Sequence, residues 1–275
     1  MSFLEAVIFG VVQGIAEFLP ISSTAHVIIA QMMLGYSIPG LSFEIFLHLG
    51  SVAAVILFYR EDIIQLLTSF FRYISKKNPQ DRTEFYFSIY IVIATIITGV
   101  LGIILEDVMA ENLKTPSVIG GSLALTGLFL ILIERFHTIG SRTEKDLTIV
   151  DSIIIGVAQA LAVIPGLSRS GTTLIAGLYA GLNRDTAVRY SFLLSIPVIL
   201  GSTVMAIGDV SAGSLASVGT GPLIGAMIAS FVASYFGILL LINFLNKGRL
   251  IYFALYCFLL AAVVILFLNP AEVEL

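Results

Sequence analysis

The segments 10-GVVQGIAEFLPISSTAH-26 and 156-GVAQALAVIPGLSRSGTT-173 decide the fold of this chain, because each places a polar, proline-containing centre inside an apolar stretch. The apolar pieces beside these centres are too short to cross a bilayer, which takes about 20 residues in a helix. Irregular backbone is tolerated at membrane depth only where protein buries it or where it lines a water-filled cavity. We therefore interpret residues 1–36 and 150–182 as two re-entrant helix pairs.

The rest of the chain is also too apolar for a soluble domain. Hydrophobic residues make up 58% of its 275 residues and charged residues 12%, whereas soluble domains carry about 25% charged residues. Further apolar stretches reach or approach the length of a transmembrane helix at 43–59, 85–105, 117–133, 190–208, 222–242 and 250–268. The sequence therefore predicts an all-α polytopic membrane protein with six transmembrane helices and two re-entrant helix pairs.

The distribution of lysine and arginine predicts the orientation of the chain. If residues 1–36 enter and leave the membrane from outside, 12 of the 14 basic residues fall in cytoplasmic loops, as the positive-inside rule requires. Lys114 is on the outer side, and Arg169 lies in the second re-entrant centre. Both termini are then predicted outside. The predicted cytoplasmic loops are 60–84, 134–149, 183–189 and 243–249.

The two re-entrant regions are alike in sequence and are predicted to enter from opposite sides of the membrane. GVVQGIAEFLP from Gly10 corresponds to GVAQALAVIP from Gly156, and each runs into a serine-rich turn. Similar segments with opposite polarity are typical of an inverted-topology repeat. The sequence thus predicts one membrane domain built from repeat A, about 1–110, and repeat B, about 150–275, whose re-entrant tips meet near the midplane.

The first tip carries ionisable groups that are costly to place in an apolar segment. Gln13 and Glu17 are four residues apart and share a helix face, and His26 follows Ser23 by one turn. Ionisable residues inside membrane segments are functional by default, so we expect Glu17 and His26 to serve chemistry. The alternative is a polar plug that only holds the turn. We interpret His48, which has apolar neighbours, as a packing residue or a local hydrogen-bond partner.

The second tip is typical of an anion site. Pro165 and Gly166 end one helix, and Ser168, Ser170 or Thr172 can cap the next, whose N-terminal N–H groups suit phosphate. Arg169 adds a guanidinium fork that matches phosphate oxygens. Its negative partner is either an anionic ligand or, in a purely structural role, Glu17. With the hydroxyls and His26 of the first tip, this set favours phosphoryl transfer on a substrate with a lipid tail.

Four segments resemble the undecaprenyl-diphosphatase family, also called bacitracin-resistance proteins. QGIAEFLPISSTAH is similar to the family's (E/Q)xxxE and Ser-His region, and PGLSRSGTT matches its PGxSRSxxT motif. FEIFLHLGS at 43–51 and SFLLSIP at 191–197 also resemble family segments. Gln13 stands where some members have glutamate, which argues against a requirement for two carboxylates.

The resemblance implies an activity and a set of roles. The family converts undecaprenyl diphosphate to undecaprenyl phosphate and inorganic phosphate on the outer face of the bacterial membrane, which recycles the carrier of peptidoglycan synthesis and confers bacitracin resistance. The implied catalytic residues are Glu17 as the acid, Ser23 as the nucleophile, His26 beside it and Arg169 as the phosphate ligand. The expected phosphate-binding residues are Gln13, Ser22, Ser168, Ser170, Gly171 and Thr173.

Several questions stay open at this level. Ser23, His26 or a water activated by Glu17 can each be the nucleophile. Inverted repeats are also common in transporters, so a carrier or flippase of an anionic lipid is the alternative function. We expect a lipid substrate, contact with membrane lipids and no nucleic-acid partner; oligomeric state is open. Cys257 is the single cysteine, so no cysteine-based metal site can form, but Mg²⁺ or Ca²⁺ can bridge Glu17 and the diphosphate.

Overall fold

The computed structural model describes residues 1–36, 42–109, 115–136, 140–207 and 218–268. Within these ranges the chain is built of α-helices, with two short 3₁₀ turns and one isolated backbone bridge between Arg142 and Leu182. The predicted all-α architecture is therefore confirmed. Lys114 and residues 208–217 lie outside the described residues.

Eleven α-helices occupy the described ranges, and we number them in chain order. They are α1 Phe3–Phe18, α2 Ser23–Leu34, α3 Ser42–Phe58, α4 Arg60–Lys76, α5 Arg82–Met109, α6 Pro116–Phe136, α7 Ile149–Leu161, α8 Arg169–Tyr179, α9 Arg184–Ile207, α10 Thr220–Asn246 and α11 Ile251–Phe267.

Each of the six stretches predicted to cross the membrane is helical. Four are long and apolar enough to span a bilayer, at Pro79–Leu105, Pro116–Arg135, Arg184–Met205 and Thr220–Asn246. The apolar part of α3, Phe46–Phe58, and the helix α11 are shorter. Together these helices make the chain a multi-pass membrane protein.

The stretch 60–84 is not the loop that we expected. It forms the 17-residue helix α4 and a 3₁₀ turn at Pro79–Asp81 before α5 begins. Its charged residues interrupt a continuous apolar run, but apolar residues still recur at helical spacing between them, and that spacing stabilises a helix at an apolar surface. The stretch 183–189 is also mostly helical, because the Asn183 side chain caps the start of α9 by accepting a hydrogen bond from the Thr186 N–H at 2.8 Å.

Short helices flank both polar centres, as predicted. Helices α1 and α2 have 16 and 12 residues, and α7 and α8 have 13 and 11. Pro20 closely follows the end of α1, and Leu19 between them is extended with φ −72° and ψ 143°. Helix α7 ends at Leu161, earlier than the predicted stop at Pro165, because a run of turns precedes Gly166, which has φ +96°. The depth of these pairs in the bilayer and their inverted-repeat relation stay predictions.

Close helix packing fixes the position of α1, which carries Gln13 and Glu17. Gly10 and Gly14 form a small-xxx-small pair, the kind of spacing that lets membrane helices approach closely. A Cβ added at Gly10 would collide with the Ala226 carbonyl oxygen, and one at Gly14 would collide with the Ser230 carbonyl oxygen, both on α10. The backbones of α1 and α10 are therefore in contact through these glycines.

We predict that Gly14→Ala destabilises the protein. The new methyl group would lie 2.7 Å from the Ala233 Cβ and 2.8 Å from the Ser234 backbone nitrogen, so the helices must move apart. The expected loss is about 1–3 kcal/mol in the free energy of unfolding, measured with denaturant in detergent. Gly121→Ala on α6 is the control, because its Cβ meets no atom within 4 Å and alanine favours helix by up to about 1 kcal/mol. Equal effects of the two substitutions would contradict this packing.

Candidate active site

The two polar tips are in contact. The hydroxyl groups of Ser168 and Ser170 both donate hydrogen bonds to the Leu19 carbonyl oxygen, at 3.4 and 3.2 Å. Gly171 allows this approach, because a Cβ there would lie 3.2 Å from the Pro20 Cβ and 3.1 Å from the Ser168 Cβ. Ser168, Ser170 and Gly171 were expected to bind phosphate, and in the structure they also join the second tip to the first.

Glu17 is the centre of the site. It is 5% exposed, and a buried carboxylate is stable only when it is paired and hydrogen-bonded. Its Oε1 accepts a hydrogen bond from Nη2 of Arg169 in an ion pair. Its Oε2 accepts from the Gln13 amide at 2.7 Å and from the Ser23 hydroxyl at 2.8 Å. Three other predicted site residues, Gln13, Ser23 and Arg169, are thus each bonded directly to Glu17.

Arg169 is presented by the N-terminus of α8. The Ser168 side chain caps this helix by accepting a hydrogen bond from the Gly171 N–H at 3.1 Å, and Arg169 is the first helical residue. The guanidinium has five N–H donors, and its bond with Glu17 uses one of them. Arg169 can therefore hold Glu17 and present further donors to a bound anion.

A cavity of about 270 Å³ opens beside this cluster. Both tips contribute to its wall, together with α3, α5 and α9, so the site lies where the two predicted repeats meet. The lining residues are Glu17, Ser22, Ser23, Thr24, His48, Thr98, Gln159, Ala162, Val163, Leu167, Ser168, Arg169, Val198, Ile199 and Ser202.

Ser22 is unusual in both backbone and side chain. Its φ of 67° and ψ of 99° are strained for a residue with a Cβ, and such strain concentrates at functional sites. The residue is 2% exposed, and its hydroxyl has no hydrogen-bond partner among the described residues. Because buried hydroxyls are normally paired, this group is suited to a ligand in the cavity that it lines.

His26 has different partners from the one that we expected. Its Nδ1 donates to the Ser22 carbonyl oxygen at 2.7 Å, so its Nε2 accepts from the Tyr256 hydroxyl at 2.6 Å, and the two rings stack with centroids 5.5 Å apart. We expected His26 to pair with Ser23, and the structure shows other partners for both residues. The Ser22 carbonyl oxygen occupies Nδ1 of His26, and the Ser23 hydroxyl donates to Glu17. A catalytic role for His26 stays a prediction.

His48 belongs to the cavity wall, and the sequence interpretation missed it. Its Nδ1 lies 3.0 Å from the Gln13 amide nitrogen and 3.6 Å from Glu17 Oε2. The Gln13 amide therefore contacts both His48 and Glu17. The sequence did contain a signal for this residue. His48 is an ionisable residue in an apolar segment, which is the criterion that identified Glu17 and His26 as functional.

Gln159 is a second residue that the sequence interpretation missed. Its amide nitrogen donates to the Thr98 hydroxyl at 3.1 Å, while its buried Oε1 has no partner among the described residues. The residue lines the cavity and is the counterpart of Gln13 in the two similar segments. The alignment of GVVQ with GVAQ was the signal that could have identified it.

Thr173 joins helices and does not line the main cavity. Its hydroxyl is 2.5 Å from that of Ser191 on α9 and also donates to the Arg169 carbonyl oxygen at 3.0 Å. A much smaller cavity behind Glu17 and Arg169 is lined in part by Thr173, Ser191 and Gln159 among other residues. The predicted phosphate-binding role of Thr173 is untested, and the observed contacts are structural.

Comparison with known proteins agrees with the motifs at the site. The model of the family "Bacitracin resistance protein BacA" matches residues 6–263. The chain is 57% identical to undecaprenyl-diphosphatase 1 of Shouchella clausii, over 97% of both chains. It is 56% identical to undecaprenyl-diphosphatase 2 of Halalkalibacterium halodurans, over 98% of this chain and 97% of the relative. It is 40% identical to undecaprenyl-diphosphatase 3 of Bacillus anthracis, over 96% and 97%.

We predict that Ser22→Ala weakens anion binding without destabilising the protein. The substitution removes a hydroxyl that has no described partner, so the free energy of unfolding should stay within about 0.5 kcal/mol. Loss of one hydrogen bond to the anion should weaken phosphate binding by about fivefold to tenfold. The measurement is the phosphate-dependent rise in unfolding temperature in detergent.

Ser230→Ala is the matched control for this prediction. Ser230 is a fully buried serine whose hydroxyl donates to the Leu47 carbonyl oxygen at 2.7 Å. Its removal should lower stability by about 1 kcal/mol and leave phosphate binding unchanged. Unchanged phosphate binding in the Ser22→Ala protein would mean that this hydroxyl faces no ligand.

Proposed function

This chain belongs to the bacitracin resistance protein BacA family, and we propose that it hydrolyses undecaprenyl diphosphate to undecaprenyl phosphate and inorganic phosphate. It is thus a membrane hydrolase that returns the lipid carrier for peptidoglycan synthesis and confers resistance to bacitracin. The observation that carries the proposal for this chain's own residues is the shared carboxylate of Glu17, which holds both the Ser23 hydroxyl and Arg169 beside one cavity.

In the proposed reaction, Ser23 attacks the terminal phosphorus. Its proton passes to Glu17 Oε2, 2.8 Å away, and the bond from that phosphorus to the bridging oxygen breaks, so that undecaprenyl phosphate leaves with the electron pair. Water then attacks the phosphoserine, the serine oxygen leaves and takes back a proton, and inorganic phosphate is released. Each step balances without a redox partner.

Arg169 links substrate binding to this proton transfer. Phosphate oxygens compete with Glu17 for the guanidinium, whose planar fork suits either anion. The guanidinium donors that Glu17 does not use bind the diphosphate, and the charge that Arg169 shares with the phosphate then holds Glu17 less tightly. The Oε2 of Glu17 stays beside the Ser23 hydroxyl and can take its proton.

The site also supports anion and lipid binding around the reacting phosphorus. We assign the phosphate oxygens to Arg169, the Ser22 hydroxyl and the N–H groups at the beginning of α2, with Ser168 completing the polar wall. Gln13 does not line this cavity and instead holds Glu17 by donating to it at 2.7 Å. Val163, Val198 and Ile199 supply the apolar wall for the first isoprene units.

A divalent cation fits the chemistry but has few protein ligands. Within the described ranges, no group of three or more His, Cys, Asp or Glu side chains is arranged to hold a metal ion. Mg²⁺ or Ca²⁺ would therefore be held by Glu17 and chiefly by the diphosphate oxygens, and it would neutralise charge on the phosphates.

The proposed orientation opens the site to the outer face of the bacterial cell membrane, with both termini outside. The support is the placement of 12 of 14 basic residues in stretches that this orientation makes cytoplasmic. A lipid flippase is the rival function for such a fold. The hydrogen bond between Ser23 and Glu17 favours hydrolysis, because a carrier needs no activated hydroxyl.

We predict that Ser23→Ala abolishes cleavage. Loss of the nucleophile should lower the single-turnover rate by more than about 10³-fold, while the cavity that binds the lipid keeps its remaining groups. The measurement is single-turnover release of labelled phosphate from undecaprenyl diphosphate by folded, purified protein. Wild-type protein should transiently carry the label on serine.

Thr24→Ala is the matched control, because Thr24 lines the same cavity and no described hydrogen bond joins it to Glu17. It should retain turnover within about tenfold, the scale of one lost hydrogen bond. Rapid cleavage by a folded Ser23→Ala protein would instead mean that Glu17 activates water directly. Absence of phosphate release by the wild type would leave the flippase as the surviving function.

A further inference from the structure

Helix α4 has an exposed apolar face that the proposed reaction does not use. Its exposed large apolar side chains are separated by three and four residues, so they form one line along the helix. We call them the apolar stripe: Ile64, Leu67, Phe71 and Ile74, which are 60%, 56%, 66% and 52% exposed.

A second face of α4 packs across the end of a membrane-spanning helix. Gln65 donates to Glu84 at 3.1 Å, Ser69 donates to Asp81 at 2.9 Å, and the Tyr73 ring lies 4.6 Å from that of Phe85. These contacts extend from Gln65 to Tyr73 on α4 but reach only residues 81–86, at the end of the 3₁₀ turn and the beginning of α5. A helix running alongside α5 would meet successively later residues, so α4 crosses the end of that span.

The first turn of α4 also contacts a second membrane-spanning helix, α9. Asp62 forms an ion pair with Arg189 of α9 at 2.6 Å, and Arg189 also pairs with Glu84 of α5 at 3.3 Å. Both α5 and α9 begin close to these residues, at Arg82 and Arg184. Helix α4 therefore lies across the same end of two spans, which is the level of a membrane surface.

Basic side chains are concentrated at the C-terminal end of α4. Four exposed residues, which we call the basic corner, are Arg72, Lys76, Lys77 and Arg82. The sole acidic residue from 69 to 83 is Asp81, which is buried and lies 3.8 Å from Arg72. The corner thus has an excess of positive charge that no described carboxylate balances.

Two tyrosines stand beside this charge. The Lys77 ammonium lies 5.2 Å from the centre of the Tyr73 ring, and the Arg82 guanidinium lies 5.7 Å from that of Tyr86. Tyrosine is enriched at the headgroup level of membranes because its ring is apolar and its hydroxyl is polar. The aromatic and basic residues therefore occur together as in interfacial anchors.

We infer that α4 is an interfacial helix that binds anionic lipids. Its apolar stripe enters the boundary between headgroups and acyl chains, to a depth of about 5–10 Å, and its basic corner contacts lipid phosphates. The membrane is the occupant that matches both features, because α3 and α5 hold the two ends of α4 at apolar helices and the corner complements negative headgroups. This inference does not depend on the proposed reaction.

The chain contains no tryptophan, so a single introduced tryptophan reports on one position. Phe71→Trp places it in the apolar stripe. Gln65→Trp is the matched control, because six residues rotate it by roughly 120° around the helix toward the polar side. Both full-length proteins are reconstituted in phosphatidylcholine vesicles that contain brominated acyl chains, and tryptophan quenching is measured.

We expect strong quenching and blue-shifted emission for Phe71→Trp, and weak quenching for Gln65→Trp. Equal weak quenching of both proteins with water-like emission would overturn the inference, because the stripe would then face water. Blue-shifted but unquenched emission from Phe71→Trp would also overturn it, because a protein surface, such as a second copy of this chain, would then cover the stripe.

The lipid preference is tested by energy transfer from the Phe71→Trp protein to dansyl-labelled phosphatidylglycerol or dansyl-labelled phosphatidylcholine. Transfer to the anionic lipid should exceed transfer to the zwitterionic one. Replacing Arg72, Lys76 and Lys77 by glutamine should remove this excess, since each basic residue near an anionic surface contributes up to about fivefold in affinity. The control replaces three exposed basic residues elsewhere, Lys145, Lys247 and Arg249, by glutamine. No initial preference, or an equal loss in both triple variants, would refute the basic corner as a lipid site.

Discussion

The ion pair between Glu17 and Arg169 joins two elements that are 152 residues apart in the chain. The buried Glu17 carboxylate would be strongly destabilising without a cationic partner, so the first tip requires Arg169 of the second. The pair also explains the surrounding hydrogen bonds, because Gln13 and Ser23 supply the remaining donors that a buried carboxylate needs. Arg169 keeps guanidinium donors that its bond with Glu17 does not use, so the site can also bind an anion.

Close backbone packing holds this pair in place. Gly10 and Gly14 bring α1 against α10, and the serines around Arg169 bind the Leu19 carbonyl oxygen that follows α1. Small residues and backbone acceptors serve this purpose well in a membrane, where burial of apolar side chains gives little drive for association. The hydroxyls of the second motif therefore have a structural task even before any substrate binds.

Much of this arrangement could be predicted from local sequence. Glu17 and Arg169 were identifiable because charged residues are rare in apolar segments, and the six apolar stretches are all helical. The partners of His26 could not be predicted, because Tyr256 is 230 residues away and meets it only in the folded chain. Helix α4 was misread as a loop because its charges obscured an apolar spacing that matters only at a surface. Gln159 could have been found from the similarity of GVVQ and GVAQ, but the lack of a described partner for its oxygen depends on the tertiary structure and could not be predicted.

The central claim is that Glu17 and Arg169 act as one unit. A double-mutant cycle with Glu17→Gln, Arg169→Gln and the combined variant tests it, with the free energy of unfolding measured in detergent. Arg169→Gln leaves the buried Glu17 carboxylate unpaired and should cost about 3–5 kcal/mol, whereas Glu17→Gln leaves the partly exposed Arg169 guanidinium beside the cavity and should cost less. The double variant should recover most of that loss, with a coupling energy above about 2 kcal/mol. Strictly additive losses would contradict the account, because the two residues would then stabilise the fold independently.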